Sequence, residues 1–293
     1  MSIPDTWEDA FARIARRAPP RSYGIAFTPR SGSTWISDVV RQSRALGSPG
    51  EYFNINAAFP SICEAACTNF EDYYQWLRRV RVINGVFGFE ISWPWAERLQ
   101  ADGNLELLRD TDCWFLLRRR DYILQAVSLH VAASSGVFHL STEGSSDVEA
   151  EAANRGRNEN VAYNADSIAK GALQLMHGEC QLARLFRAWD IEPEPLWYED
   201  LIEQGPQDFL YWFAEQISVA LSPEDRERID AIQPSLRKSG GARNAEFAAR
   251  FRQERPEFIA HWDEYRGRMG AAAYRAMLAE AAAAASANTV ADP

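Results

Sequence analysis

The chain has 293 residues, of which 46% are hydrophobic, and it carries a formal net charge of −10 at pH 7. This length fits one large α/β domain or a domain with a helical elaboration, and the apolar fraction supplies an ample core. The negative charge argues against a general surface for nucleic acid or anionic membranes, so any basic cluster must act locally.

Cysteine usage and hydropathy narrow the class of protein further. The four cysteines lack the paired spacing of a zinc site, and the sequence shows neither a signal peptide nor a membrane span. We therefore expect a reduced, cytoplasmic protein without a metal, with no nucleic-acid partner and no integral membrane association.

The predicted elements start with a short amphipathic helix around Trp7, Phe11 and Ile14, which stops before a Pro-Pro pair. Tyr23–Phe27 follows, in which large apolar residues alternate with small ones as in a buried strand. The segment TPRSGSTW, residues 28–35, then leads into a helix whose apolar residues recur at helical spacing.

The loop within TPRSGSTW has the composition of an anion-binding site. A helix that starts after such a loop presents free backbone N–H groups and the positive end of its dipole, which together bind phosphate or sulfate. Arg30 adds a planar cationic fork, and the serines and threonine add hydroxyl donors. The alternative is an ordinary strand–turn–helix connection in which Ser and Thr only cap the helix. The predicted anion cradle comprises Arg30, Ser31, Gly32, Ser33, Thr34 and Trp35.

This cradle departs from a nucleotide-hydrolysing P-loop, G-x-x-x-x-G-K-[ST]. No Gly precedes the loop at the required spacing, no Lys follows Gly32, and Arg30 comes before the Gly instead. A P-loop-like nucleotide kinase and a non-catalytic nucleotide-binding protein are therefore kept only as alternative functions.

The rest of the chain alternates between helical and strand patterns without internal repeats. Strands that alternate with helices predict an α/β fold with a central, mostly parallel sheet. Residues 134–160, rich in Ser, Gly, Glu and Asn, predict a mobile loop. The predicted helices are Phe70–Val82, Leu173–Trp189 and Gln207–Ala220, and the predicted strands are Val86–Ile91, Cys113–Leu117 and Glu194–Tyr198.

Three consecutive arginines follow the third predicted strand. Trp114–Leu117 is a continuous apolar run, as expected of a parallel strand that is buried on both faces. Arg118–Arg120 then lies at its carboxyl end, where ligands bind in open α/β sheets, and Asp121 can cap the next helix. We predict a second anion site here rather than a solvated basic cluster.

Two further segments, LGSPGEYFN (46–54) and WYEDL (197–201), stand beside TPRSGSTW and the segment that contains the three arginines. In order, these four segments resemble sulfotransferases that use 3′-phosphoadenosine 5′-phosphosulfate (PAPS), and the closest match is the bacterial Stf-type family, which includes trehalose and glycolipid sulfotransferases. Together they cover about residues 23–255. The resemblance implies a P-loop-like three-layer sandwich with helices on both faces, in one domain over residues 1–270 before an Ala-rich C-terminal tail at 271–293. The segments are TPRSGSTW, LGSPGEYFN (46–54), CWFLLRRRDYILQAVSLH (113–130) and WYEDL (197–201).

The resemblance also implies how the donor is held. The segment TPRSGSTW would hold the 5′-phosphosulfate of PAPS. Arg119 and Ser128 would hold the 3′-phosphate, with Arg120 as the alternative in the neighbouring register. A late basic loop would either close over the 3′-phosphate or form a solvated turn, and it comprises Arg237, Lys238 and Gly240.

The implied reaction moves the sulfuryl group from PAPS to a hydroxyl of a small acceptor: a sugar, a glycolipid or a secondary metabolite. Arg30 and the loop amides would stabilise the leaving phosphate during in-line displacement. By resemblance Glu51 is the general base, and its alternative role is to cap or orient a loop. His130 and His139 are alternative bases because neutral imidazole suits proton abstraction.

The acceptor side departs from the family. Glu90 stands where the family usually has Lys, and Phe138–His139 replaces a family Trp, so we expect an acceptor other than trehalose. Glu90 has three interpretations, namely acceptor binding, a second base, or a buried pairing with an Arg. A homodimer is expected only because the family includes dimers. The candidate acceptor-binding residues are Glu51, Tyr52, Glu90 and His139.

Overall fold

The computed structural model describes Thr6 and residues 20–138, 156–233 and 241–267, with side chains up to residue 261. The strands of its central sheet are β1 (Arg21–Phe27), β2 (Val86–Ser92), β3 (Cys113–Arg118) and β4 (Glu194–Trp197). They lie in the order β2-β1-β3-β4, and every neighbouring pair of these strands runs parallel. The predicted α/β fold with a mostly parallel sheet is therefore confirmed.

Within the described residues, the predicted helices are present with some ends shifted, and the structure adds helices that the sequence did not predict, among them Ile55–Glu64 and Trp93–Ala101. The helix predicted over Leu173–Trp189 begins earlier, at Ala165, because the side chain of Asn164 accepts a hydrogen bond from the Ser167 N–H and caps the helix there. The described α-helices are α1 (Ser33–Ser43), α2 (Ile55–Glu64), α3 (Phe70–Val80), α4 (Trp93–Ala101), α5 (Tyr122–Ser135), α6 (Ala165–Trp189), α7 (Tyr198–Gln204), α8 (Pro206–Gln216), α9 (Pro223–Asp230), α10 (Ala242–Glu254) and α11 (Pro256–Gly267).

Helices cover both faces of the sheet, as the resemblance implied. Tyr23, Ile25 and Phe27 pack into one apolar cluster with α1 and α8. On the other face, Ala26 and Trp114 pack with side chains of α3, α4 and α6. Since side chains alternate between the faces of a strand, the central strands are apolar throughout.

The carboxyl ends of the strands meet at one edge of the sheet. The register places Phe27, the last residue of β1, opposite Ser92 of β2 and Leu117 of β3. The predicted cradle, the three arginines and the WYEDL segment therefore all begin at the same edge. Ligands bind at this edge in open α/β sheets.

Several predictions fall on residues outside those that the structure describes. They concern the N-terminal helix around Trp7, residues 139–155 of the predicted loop, residues 237–240 and the tail at 271–293. Within the described ranges, no helix is both long and apolar enough to cross a bilayer.

Candidate active site

The predicted cradle forms the N-terminus of α1 without any side-chain cap. Gly32 is the N-cap residue, its φ of 102° lies in the left-handed region, and no side chain accepts a hydrogen bond from the first turn. The capping role that would make the Ser and Thr residues merely structural is therefore not observed. Ser31 is buried, and its Oγ has no hydrogen-bond partner among the described residues. An anionic oxygen would satisfy both the free N–H groups and this hydroxyl.

Gly32 is required by its surroundings as well as by its backbone. A Cβ atom at this position would lie 2.1 Å from Cδ2 of Tyr198, the second residue of WYEDL. The same tyrosine ring lies under the Arg119 guanidinium, whose carbon is 4.8 Å from the ring centroid. Tyr198 thus contacts the cradle and stacks against a candidate phosphate-binding arginine.

Arg30 connects the cradle to α5. Its Nε donates to Ser128 Oγ at 3.1 Å, and its Nη1 donates to the carbonyl of Phe138. Burial and the nearby Arg119 cation lower the pKa of the Arg30 guanidinium from its usual value. Two residues that the resemblance assigned to opposite ends of the donor, Arg30 and Ser128, are therefore in direct contact.

The arginines that follow β3 point to different partners. Arg119 Nη1 donates to the carbonyl of Arg30 at 3.4 Å, and its Nε lies 3.7 Å from a carboxylate oxygen of Glu199. Arg120 is exposed and forms a two-pronged ion pair with Asp200, with Nη2 2.7 Å from Oδ2. This pairing lowers the pKa of the Asp200 carboxyl. Arg119 is thus beside the cradle, whereas Arg120 is already paired.

The WYEDL segment organises this arginine cluster. The Trp197 ring lies against two guanidinium groups, at 4.6 Å from Arg118 and 5.1 Å from Arg120. The Glu199 carboxylate accepts hydrogen bonds from the backbone N–H groups of Arg120 and Asp121, at 2.9 and 3.2 Å. Asp121 caps α5 by accepting from the Leu124 N–H, as the sequence predicted.

Glu51 lies on a loop that is docked against the carboxyl end of β2. The backbone N–H of Glu90 donates to the carbonyl of Gly50 at 2.9 Å, and the Tyr73 hydroxyl donates to the carbonyl of Tyr52 at 2.9 Å. Glu51 is half-buried, and its carboxylate lies 3.5 Å from the side-chain nitrogen of Asn54. The candidate base is therefore at the same sheet edge as the cradle.

Of the other acceptor candidates, Tyr52 is half-buried like Glu51, Glu90 is buried, and His139 lies outside the described residues. The Tyr52 hydroxyl donates to the carbonyl of Ser48, and burial raises the pKa of Tyr52. Glu90 is only 3% exposed, on the sheet face that α1 covers. In the described part of the chain, no ion pair involves Glu90, so the suggested pairing with an Arg is not observed there.

Glu90 is an unusual carboxyl group. Burial raises its pKa from 4.5 to about 8, with a further increase from Glu51, while the Ser37 hydroxyl and Arg41 oppose the change. Glu90 Oε1 has no hydrogen-bond partner within the described ranges. Glu90 is therefore mostly protonated at neutral pH.

Two other predicted site residues, His130 and Trp35, are buried and contact other parts of the protein. His130 is buried, and its Nδ1 and Nε2 lie 2.9 Å from Ser167 Oγ and from the carbonyl of Ala162. The Trp35 side chain is buried in the core, with its ring centroid 5.7 Å from that of Phe209. Neither side chain is placed to contact a ligand, so we do not carry them into the proposed site.

Comparison with known proteins identifies the family of this chain. A family model described as Stf0 sulphotransferase matches residues 22–254. The chain belongs to the Stf0 sulphotransferase family. A solved structure, the sulfotransferase domain from the Synechococcus PCC 7002 olefin synthase, is similar over 80% of this chain and 96% of that domain, with 14% sequence identity and a TM-score of 0.40. No curated protein gave a significant match to the sequence.

The structure of this sulfotransferase brings further residues to the candidate site, and the sequence alone does not indicate a role for them. Gln125 contacts the cradle entrance, while Trp197, Tyr198 and Glu199 support the arginines. Both WYEDL and QAVS (residues 125–128) belong to segments that resemble the family, but neither pattern indicates which distant residues their side chains contact. Among the described residues, no three His, Cys, Asp or Glu side chains form a potential metal site.

Proposed function

We propose that this sulfotransferase moves the sulfuryl group of PAPS to a hydroxyl of a small acceptor, a sugar, glycolipid or secondary metabolite. The observation that carries the proposal is the uncapped N-terminus of α1, where the unpartnered Ser31 hydroxyl lies next to Arg30. These groups offer hydrogen bonds and positive charge to anionic oxygens, which is what a phosphosulfate requires.

In the proposed donor site, the cradle residues hold the 5′-phosphosulfate, and Arg119 and Ser128 hold the 3′-phosphate. We prefer Arg119 to Arg120 because Arg119 is close to the cradle, whereas Arg120 is exposed and paired with Asp200. Because Arg30 contacts Ser128, we propose that its guanidinium serves both ends of the donor. Arg237 and Lys238 remain candidates on the resemblance alone.

The proposed chemistry is an in-line displacement at sulfur. The acceptor oxygen forms a bond to sulfur while the bond from sulfur to the oxygen of the 5′-phosphate breaks. Glu51 accepts the proton of the acceptor hydroxyl. Arg30 and the N–H groups at the start of α1 stabilise the negative charge that develops on the departing phosphate.

The acceptor site is proposed to lie beside Glu51 and Tyr52, with His139 as a further candidate. Glu90 is better placed beneath this region than within it, because it is almost fully buried. Its carboxyl replaces a family Lys, which supports an acceptor other than trehalose. We also keep as proposals a single domain over residues 1–270, a homodimer, and a reducing cytoplasmic location, the last consistent with the four free cysteines.

Two measurements test the proposal. Calorimetry should detect binding of 3′-phosphoadenosine 5′-phosphate (PAP), the product of the donor. Mass spectrometry of a metabolite library incubated with enzyme and PAPS should reveal products about 80 Da heavier, the mass of an added sulfuryl group. Binding of PAP without any such product would favour the non-catalytic alternative, and absence of PAP binding would exclude PAPS as the donor.

A further inference from the structure

Gln125, a residue without an assigned role, makes two hydrogen bonds to the entrance of the cradle. Its Nε2 donates to Thr28 Oγ1 at 3.1 Å and to the carbonyl of Pro29 at 2.9 Å. Thr28 and Pro29 connect β1 to Arg30, so these contacts fix the chain immediately before the cradle. We propose that Gln125 is a positioning residue that holds the cradle in its anion-binding shape. The functional consequence rests on the proposed use of PAPS.

The amide of Gln125 is in an environment that favours an apolar side chain. The residue is fully buried on α5, whose other buried positions are apolar apart from Tyr122 and His130, and that histidine has its own partners. Gln125 Oε1 is buried without a hydrogen-bond partner in the described structure. Burying an unpaired carbonyl costs free energy, whereas a methionine would fill similar space without that cost. The two hydrogen bonds to the cradle give a physical reason for the amide.

The cradle needs such support because its backbone is strained. Arg30 has a φ of 66° and Gly32 a φ of 102°, both in the left-handed region. The left-handed region is unfavourable for a residue that has a Cβ atom, so Arg30 adopts it only where its surroundings hold it there. The carbonyl of Pro29 belongs to the peptide group that precedes Arg30, so the hydrogen bond from Gln125 orients the peptide plane from which this conformation starts.

The same face of α5 contacts the cradle a second time. Ser128, one helical turn after Gln125, accepts the hydrogen bond from Arg30 Nε. Gln125 therefore holds the backbone before Arg30 while Ser128 holds its side chain. Loss of Gln125 should disturb the 5′ end of the donor site directly, and this distinguishes it from a defect confined to the 3′-phosphate.

The test uses substitutions that keep side-chain volume. Gln125→Met removes both donors, Thr28→Val removes the hydroxyl acceptor, and the double variant completes a mutant cycle. Ile123→Val on the same helix is the control, because Ile123 is buried in the cluster of α5, α6 and α10. Its expected loss of stability is comparable to the loss of a buried hydrogen bond.

Binding of PAP and of AMP, which lacks the 3′-phosphate, is measured by calorimetry. We expect Gln125→Met to raise the dissociation constants for PAP and AMP about tenfold. Adding Thr28→Val to this variant should raise them little further, because the hydrogen bond between the two residues is already lost. Ile123→Val should leave both within about twofold. An unchanged AMP affinity in Gln125→Met, or an equal loss in Ile123→Val, would overturn the proposal.

A ligand-free measurement separates this inference from the proposed function. The amide resonance of Gly32 in ¹⁵N-labelled protein reports the cradle shape, and Gly32 is not a hydrogen-bond partner of Gln125. We expect it to shift in Gln125→Met but not in Ile123→Val. If the wild-type protein binds no PAP, the donor assignment fails while this shift still decides the positioning role. An unshifted resonance in Gln125→Met contradicts that role.

Discussion

Replacing Glu90 by Gln should stabilise the protein relative to wild type, and this difference should grow as the pH rises. The folded protein holds the Glu90 proton up to a pKa of about 8, because burial disfavours the charged form, whereas the reference pKa is 4.5. Between these values the folded state binds more protons than the unfolded state, so wild-type stability falls with increasing pH and levels off above pH 8. A glutamine has no proton to lose, so this contribution disappears in the variant.

The magnitude follows from the two pKa values of Glu90. A pKa difference of one unit corresponds to about 1.4 kcal/mol, so the full effect is about 5 kcal/mol for a change from 4.5 to about 8. Between pH 5 and pH 8 the difference in unfolding free energy between Glu90→Gln and wild type should grow by about 3 kcal/mol. Relative to its position at low pH, the variant should become the more stable of the two. The difference should grow most steeply near pH 6–7, roughly midway between the two pKa values of Glu90.

The assay is denaturant unfolding of both proteins at several pH values from 5 to 8, analysed with a common m-value. Glu97→Gln, an exposed position on α4, is the control and should follow wild type at every pH. If the curves for Glu90→Gln and wild type stay parallel across this range, Glu90 is ionised in the folded protein and the reasoning from its burial is wrong.

Three further predictions concern the donor site and the base. Gly32→Ala should raise the dissociation constant for PAP by more than about 100-fold with helix content retained by circular dichroism, since its Cβ would lie 2.1 Å from Tyr198; near-normal binding would contradict this. Arg119→Ala should weaken PAP binding about 10- to 100-fold in calorimetry, whereas Arg120→Ala, the matched control, should have little effect; the reverse order would move the 3′-phosphate to Arg120. Glu51→Gln should lower kcat about 10²- to 10⁴-fold at unchanged PAP affinity, and intact transfer would remove Glu51 as the base.

The sheet could be predicted from sequence because its strands are local apolar patterns. The strands around Phe89 and Phe115 are buried on both faces, so they appear as short apolar runs next to turn residues. Helix α2 was missed for the opposite reason. It buries only Ala58, exposes Ile55 and Phe59, and contains Pro60, a residue that normally breaks a helix, so its local sequence does not indicate one.

The strand–loop–helix arrangement of the cradle could also be predicted, because a strand, a Gly/Ser/Thr loop and a helix are consecutive in the chain. The choice between Arg119 and Arg120 could not, since it depends on Asp200, which is 80 residues from Arg120 in sequence. A pattern at the end of one strand gives the charges available there, but not which of them is neutralised by another segment.

Gln125 shows the same principle at the cradle itself. Its partner Thr28 is 97 residues away, and in the sequence Gln125 is only one of several polar residues in this helix. Strand β1 leads into the cradle and β3 leads into α5. Because these two strands are parallel neighbours, the start of α5 lies beside the cradle. The residues proposed to contact an anion are therefore encoded locally, whereas the residues that position them depend on strand order. For this reason the mutant cycle between Gln125 and Thr28 tests the fold's contribution to binding more directly than removal of any phosphate-binding side chain.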